Sequence, residues 1–287
     1  MDSNLLAIVV VSFSTSQKTE QCLRLLLRYT DRPFHIYVVD NASTDESKSM
    51  LLNFQEHAKD FCSVYFLEQN VGYTRAIEAV LRNAPSDADL CFINPDVYVG
   101  PKWASRLTQM LYQATAIAAV APIAHGIGGA QDIVSYYQSI CPIEYSESAV
   151  ALVNERLQEI PIRAVTAKLL QGTMLLIKRD AWKDIGSFDP GCICAADDAD
   201  WCLRARLKGY ILIVALDTFV WHDDHSSFQK LDDGGSLWIN ESWAYFNKKW
   251  AGQFDHLTWD DLFVNAKTTT HPPYVYVKYG NDYGVSP

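Results

Sequence analysis

Apolar and polar positions change period in blocks along this chain. Leu5 to Val11 is an unbroken apolar, largely β-branched run, the pattern of a strand buried on both faces. From Thr19 to Tyr29 the period becomes helical, with Cys22, Leu23, Leu26 and Leu27 on one stripe. Phe34 to Val39 is a second strand that ends at Asp40-Asn41. Ser43 to Glu46 then has the spacing of a capping box, opening a helix that runs past Leu51 and Phe54. A third strand, Val64 to Leu67, leads through Glu68-Gln69-Asn70-Val71-Gly72 into a helix over about Tyr73 to Asn83. Leu90 to Ile93 is a fourth strand, stopped by Asn94-Pro95-Asp96 because proline cannot donate to a sheet ladder. Lys102 to Tyr112 is another helix.

Strands alternating with helices across short connections predict a mostly parallel sheet with helices on both faces. In such a sheet Ser12, Asp40, Glu68 and Asp96 share one edge, at the carboxyl ends of strands, where open α/β folds bind ligands. Asp40 stands where a doubly wound fold often places an acid that binds a nucleoside. No GxGxxG follows the first strand, so the usual dinucleotide fingerprint is missing. Asn-Pro-Asp alone is ordinary turn chemistry; its weight comes from the rest of the chain.

Ala116 to Ala121 is strand-like, but Pro122 to Ile162 has little pattern: His125 to Gly129 reads as a flexible loop, with a helix near Val150 to Gln158. Order returns with Gly172-Thr173 before the strand Met174 to Ile177, then a short helix from Arg179 to Ile185. Asp197-Asp198-Ala199-Asp200 opens a helix closed by Gly209. Acids in a first turn favour the macrodipole, and Asp200 with Arg204 is an i,i+4 pair. Three acids in four residues exceed what a helix start requires, which assigns chemistry to at least one. Ile211 to Val214 and Thr218 to Trp221 are the last strands. His222 follows an apolar strand end as Asp96 does, a placement that suits a shared metal. Leu237 to Trp250 is an aromatic-rich helix whose stripe reads as core, and the Tyr-rich tail after it reads as extended.

Composition narrows the function classes. With 49% hydrophobic and 12% aromatic residues, 287 residues can bury a sizeable core. A formal net charge of -10 argues against a nucleic-acid-binding surface. It leaves room for a small phosphate ligand if a metal or backbone donors supply positive charge. The seven Cys form no disulfide framework: Cys62, Cys91 and Cys202 read as small buried hydrophobes, and Cys192-Ile193-Cys194 misses zinc spacing. No leader and no membrane-length apolar run is apparent, so a reducing, cytoplasmic setting is the simplest expectation.

Taken in order, Val9-Val10-Val11-Ser12, Val38-Val39-Asp40-Asn41-Ala42-Ser43-Thr44-Asp45, Asn70-Val71-Gly72-Tyr73, Asn94-Pro95-Asp96, Phe188-Asp189, Asp197 to Arg204, Gly209-Tyr210 and His222 resemble glycosyltransferase family 2. That family comprises inverting, metal-dependent enzymes of GT-A fold. The Asn-Pro-Asp form, with Asn247-Lys248-Lys249-Trp250, is similar to its rhamnosyltransferase-type branch.

The resemblance implies a single α/β GT-A domain over residues 1–250, with a nucleotide-sugar-binding half (1–121), an acceptor-binding and catalytic half (122–250) and an extension over 251–287. It implies that Asp40 accepts a hydrogen bond from a pyrimidine base, with Ser12, Ser14, Asn41, Asn70, Gly72, Asn94 and Asp96 around the nucleotide sugar. Asp96 and His222 would hold Mn²⁺ or Mg²⁺ against the diphosphate. Asp198 would be the catalytic base, with Asp197 beside it and Asp200 supporting the helix. Ser14, Glu78 and Asp197 depart from the usual Asn, Asn and Glu, which bears on donor specificity.

The expected activity is transfer of a hexose or deoxysugar, rhamnose included, from a UDP- or dTDP-sugar to a hydroxyl of a glycan or glycoconjugate. Two alternatives stand beside it. A sugar nucleotidyltransferase would want a basic, Gly-rich phosphate loop, and Ser12 to Lys18 offers one cation. A non-catalytic nucleotide- or glycan-binding module would not need Asp96, Asp198 and His222 together. The acceptor is the least readable part, its site expected from Pro122 to Ile162 and the tail after Trp250, and oligomeric state is open; a lipid-linked acceptor would bring peripheral membrane contact, without a basic amphipathic helix to support it.

Overall fold

The computed structural model describes residues 5–223, 235–254 and 256–265, and the backbone of two short strands beyond them. The first half alternates as the periodicity predicts: β1 (Leu6–Ser12), α1 (Ser16–Tyr29), β2 (Phe34–Asp40), α2 (Ser47–His57), β3 (Cys62–Phe66), α3 (Tyr73–Leu81) and β4 (Asp89–Ile93). The second half follows with β5 (Val97–Tyr98), α4 (Trp103–Leu111), β6 (Ile117–Ala124), α5 (Val134–Tyr137), α6 (Glu147–Arg156), β7 (Ala164–Ala167), β8 (Met174–Ile177), α7 (Arg179–Ile185), α8 (Asp197–Leu207), β9 (Ile211–His222), α9 (Ser236–Trp250) and α10 (Trp259–Phe263).

One sheet runs β3-β2-β1-β4-β8-β6-β9-β5, with β7 also on β9. The β3-β2-β1-β4 half is parallel. β8 runs against both β4 and β6, whereas β6 and β9 are parallel to each other. β1 is buried along its whole length, which explains its unbroken apolar sequence. The β1–β2 register pairs Ser12 with Asp40, so both stand at one edge of the sheet. Because β8 starts beside the end of β4, with Ile93 opposite Met174, Gly172-Thr173 enters at that same edge. The Asn94 N–H donates to the Thr173 carbonyl at 3.0 Å.

Two expectations are corrected. The capping box at Ser43 to Glu46 is not made: α2 begins at Ser47, and its N-cap Glu46 makes no side-chain cap hydrogen bond. The Ser43 hydroxyl is engaged elsewhere, donating to Asp40 and accepting from the Ser14 N–H. Asp45 takes over the local work, with its two oxygens accepting from the Ser47 and Ser16 N–H groups, each at 3.0 Å. The last two strands are also one strand, β9, running through Asp217-Thr218. Its register against β6 slips there, from Ala215 opposite Pro122 to Phe219 opposite Ile123. Asn154 of α6 makes the irregularity tolerable: it accepts from the Phe219 N–H at 3.0 Å and donates to the Phe219 carbonyl at 2.8 Å.

Gly209 closes α8 in a Schellman motif. At φ +85° its N–H reaches the Arg206 carbonyl, and the Tyr210 N–H reaches that of Ala205.

Candidate active site

Strand pairing brings the first two chemical groups together. β5 is only two residues long, yet it sets Val97 opposite His222. The Asp223 N–H donates to the Asp96 carbonyl at 2.9 Å, closing the ladder. Asp96 Oδ1 and His222 Nε2 thereby stand 3.5 Å apart, both side chains buried. A carboxylate oxygen and an imidazole nitrogen at this separation suit a divalent cation of borderline character. Among the described residues no set of three or more His, Cys, Asp or Glu is positioned to hold a metal. Among the described residues, the share of a coordination shell offered here is this pair.

The second group is the acidic helix start. Ala196 holds a left-handed conformation (φ 62°) immediately before α8, an arrangement that a non-glycine residue adopts at a cost. The turn separates the three acids. Asp200 faces the protein interior, fully buried, bonded to Arg204 Nε at 2.8 Å and to Lys249 Nζ at 2.6 Å. Trp250 Nε1 also donates to it at 3.0 Å. Asp197 is buried at 6% exposure, and Asp198 is half-buried with both oxygens on backbone donors: Gly172 N–H at 2.9 Å and Ala199 N–H at 2.7 Å. Burial drives the Asp197 carboxyl well above the ordinary carboxylate range, and the charge of Asp198 adds to this. Burial also raises Asp198, with its two backbone donors working the other way. Asp198 is thus the member of the pair better able to carry negative charge.

The third group is a clamp of amides. Asn41 Nδ2 donates to Asn70 Oδ1 at 2.7 Å and to the Gly72 carbonyl at 3.3 Å, while its Oδ1 accepts from the Val71 N–H at 3.0 Å. Gly72 has φ +83°, and a Cβ there would stand 2.8 Å from the Ile193 carbonyl oxygen. That carbonyl accepts from the Tyr73 N–H at 2.7 Å, so the Asn70–Gly72 loop is fitted against the segment that leads into α8.

These groups meet in one cleft of about 530 Å³. Asn41, Asn70, Gly72, Asn94, Asp96, Asp197, Asp198 and His222 all line it. Ser12, Ser14 and Asp40 lie outside the lining. The Ser12 hydroxyl is 2.9 Å from Thr19 Oγ1 at the start of α1, and Ser14, at φ 51°, accepts from the Thr44 N–H at 3.1 Å. Asp40 is buried, holds the Ser43 hydroxyl, and is raised above its ordinary value by burial. No Lys or Arg is among the described lining residues.

Sequence reasoning missed Trp238 and Trp243 of α9, which also line the cleft, as does the Gly126-Ile127-Gly128 loop within the Pro122–Ile162 stretch. The two tryptophans belong to a stripe that reads as core by periodicity, and the loop carried only its glycines as a signal.

No curated protein sequence matches this chain. Among solved structures, GalNAc-T7 with UDP, GalNAc and Mn²⁺ is similar at TM-score 0.60 and 15% identity, over 77% of this chain and 44% of that one. The present chain thus spans less than half the length of that protein. The mannosyltransferase PcManGT from Pyrobaculum calidifontis, in complex with GDP-Man and Mn²⁺, is similar at TM-score 0.57 and 15% identity, over 86% of this chain and 75% of that one. The fold is therefore that of the GT-A glycosyltransferases. The glycosyl transferase family 2 pattern matches residues 7–185, more than half of the 287, and the chain belongs to that family.

Proposed function

We propose that this protein is an inverting sugar transferase in which Asp198 is the base and Asp96 with His222 holds the donor's metal. One observation carries the reading: the Asp96–His222 pair and the Asp197–Asp198 pair line the same cleft as the Asn41–Asn70–Gly72 clamp. A bound Mn²⁺ or Mg²⁺ would supply the Lewis acidity that lets a nucleoside diphosphate leave. The described lining offers no lysine or arginine for that purpose. Both solved structures named above hold Mn²⁺ beside a nucleotide or nucleotide sugar.

Asp198 takes the proton of the acceptor hydroxyl as that oxygen forms its bond to the anomeric carbon. The bond from the anomeric carbon to the diphosphate oxygen breaks, and the diphosphate departs with the electron pair. Attack from the face opposite the leaving group inverts the anomeric centre and needs no covalent enzyme intermediate. Asp197, whose carboxyl is raised well above the ordinary carboxylate range by burial and the charge of Asp198, would keep a second negative charge away from the base. Asn41 fixes the Asn70–Gly72 loop against the donor. Asp40, with Ser12 and Ser14, sits at the adjoining sheet edge, where a pyrimidine base of UDP or dTDP would be recognised. Hexoses and deoxyhexoses, rhamnose included, are the sugars this reading covers, and a glycan or glycoconjugate hydroxyl is the acceptor. Among the described residues no helix is long and apolar enough to cross a membrane.

A nucleotidyltransferase is disfavoured by Lys18, the one cation of the Ser12–Lys18 segment, which is paired with Asp223 at 3.0 Å. The test is a panel of UDP-, dTDP- and GDP-sugars scored for Mn²⁺-dependent release of nucleoside diphosphate. Release from one donor, abolished by EDTA and by Asp96→Ala, is expected. Silence across the panel, with no thermal stabilisation by any nucleoside diphosphate plus Mn²⁺, would sink the reading.

A further inference from the structure

α9 is bolted to the catalytic helix along one face and brings two tryptophans into the cleft. Ser242 Oγ accepts from the Cys194 N–H at 3.3 Å, three residues before Asp197. Tyr245 donates to Asp189 at 3.2 Å, and its ring packs so closely on Gly191 that a Cβ there would stand 2.3 Å from it. One turn on, Lys249 bonds Asp189 at 2.7 Å and Asp200 at 2.6 Å, and Trp250 bonds Asp200. Residues 242, 245, 249 and 250 recur at helical spacing, so they form a single anchoring face. Trp238, one turn before Ser242, lies on the same stripe but reaches the cleft, as does Trp243. Trp243 is braced edge-on by Phe246 at 5.6 Å and Trp259 at 5.3 Å. The loop Gly126-Ile127-Gly128 lines the same cleft, tied down where Gln171 Nε2 donates to the Gly128 carbonyl at 2.9 Å.

We propose that Trp238 and Trp243 form an acceptor subsite for a neutral pyranose ring, presented to Asp198 by the rigid α8–α9 unit. The inference rests on the transferase reading and adds the class of acceptor. An indole face offers a broad apolar surface with a polar N–H edge. A pyranose matches it, with a C–H face to stack and a rim of hydroxyls to hydrogen-bond. Charge selects against the alternatives. The described lining carries Asp96, Asp197 and Asp198 and no lysine or arginine, so an anionic acceptor such as a lipid phosphate has no described partner there beyond the metal. Rigidity matters equally, because a base helps only when the attacking hydroxyl is held within hydrogen-bond reach of it.

The experiment is a tryptophan-fluorescence titration of the protein, saturated with Mn²⁺ and whichever nucleoside diphosphate stabilises it. The probes are a set of methyl pyranosides (gluco, galacto, manno, rhamno and N-acetylglucosamine forms) and, separately, decyl phosphate. At least one pyranoside is expected to bind saturably to wild type. Its Kd should rise roughly tenfold in Trp238→Ala, the loss of one good aromatic contact, while the nucleotide Kd stays within about twofold. Trp243→Phe, which keeps a ring against Phe246 and Trp259, should weaken the pyranoside by only a few fold, guarding against a folding defect in a Trp243→Ala protein. Saturable nucleotide binding with no pyranoside response, or a pyranoside Kd unmoved in Trp238→Ala, would overturn the subsite while leaving the transferase reading intact. Decyl phosphate as the one ligand weakened by Trp238→Ala would replace it with a lipid-linked acceptor. Failure of nucleotide and Mn²⁺ to bind would instead count against the transferase reading.

Discussion

Asp197 and Asp198 are adjacent in the chain and chemically identical, yet the fold gives them different surroundings. The difference comes from a backbone N–H at Gly172, 26 residues away in sequence, and from deeper burial of Asp197. An acidic cluster with surplus charge was legible in the sequence; which member could ionise was not, because both causes are tertiary. Asp198→Asn should lower kcat by about a thousandfold, the usual contribution of a positioned base. Asp197→Asn, replacing a carboxyl whose charged form burial disfavours, should stay within about tenfold of wild type. Equal losses in both variants, measured as nucleoside diphosphate release with retained donor binding, would contradict this division of roles. The pH profile follows from the same burial. Asp198 must be ionised to act, and its pKa is raised from 3.8. The acid limb of kcat/KM should therefore have its midpoint above 3.8, with activity falling as pH drops through it.

Whole elements show where pattern suffices and where it does not. β1, β2, β4 and β8 were legible because each carries a run of buried apolar residues with punctuation at its end. β5 was not, since a two-residue strand has no period, and it alone brings Asp96 beside His222. β9 read as two strands because Asp217-Thr218 interrupts its apolar run, and a side chain from α6 repairs the break. The late helix read as core, correctly for Phe246, but its Lys249 is what joins it to α8. There burial opposes the ammonium charge, and the carboxylates of Asp189 and Asp200 outweigh it and raise its pKa. Lys249→Met should destabilise the fold by about 3 kcal/mol, the lower end for removing one partner of a buried pair, because the Lys249 side chain keeps 24% exposure. Chemical denaturation with unchanged m-value would measure it. Gly72→Ala should cost about 1–3 kcal/mol for the left-handed backbone and in addition separate the Asn70–Gly72 loop from Ile193. It should weaken nucleotide binding more than Lys249→Met does.

At the scale of the molecule, the acids divide into two populations that set how stability answers to pH. Burial raises Asp40, Asp89, Asp197, Asp198 and Asp217. Asp45 and Asp189 are lowered despite partial burial, by the hydrogen bonds of Ser47 and Ser16 in one case and chiefly by Lys249 in the other. A carboxyl raised in the folded state binds its proton more tightly there than in the unfolded chain. Its stabilisation is complete below the ordinary value of 3.8 and is lost as pH rises through the folded value. The lowered acids do the reverse, contributing above 3.8 and fading only as pH falls below it. Above 3.8 the lowered acids are constant, and each raised acid weakens the fold as pH increases through its folded value; His35, lowered from 6.5 by burial, works in the opposite direction. The net charge of -10 at pH 7 adds self-repulsion in the same direction as the raised acids. The raised acids should therefore lower the melting temperature as pH rises above 3.8 in the absence of nucleotide and metal. Asp217 isolates the cause, since it lies outside the cleft, is fully buried, and has one oxygen without a hydrogen-bond partner among the described residues. Asp217→Asn removes the titrating group and most of the charge burial, so its melting temperature should match wild type below pH 3.8, exceed it once pH has risen past the folded value, and show a shallower slope between. An Asp217→Asn slope as steep as wild type would show that this buried carboxyl does not govern the fold's response to pH.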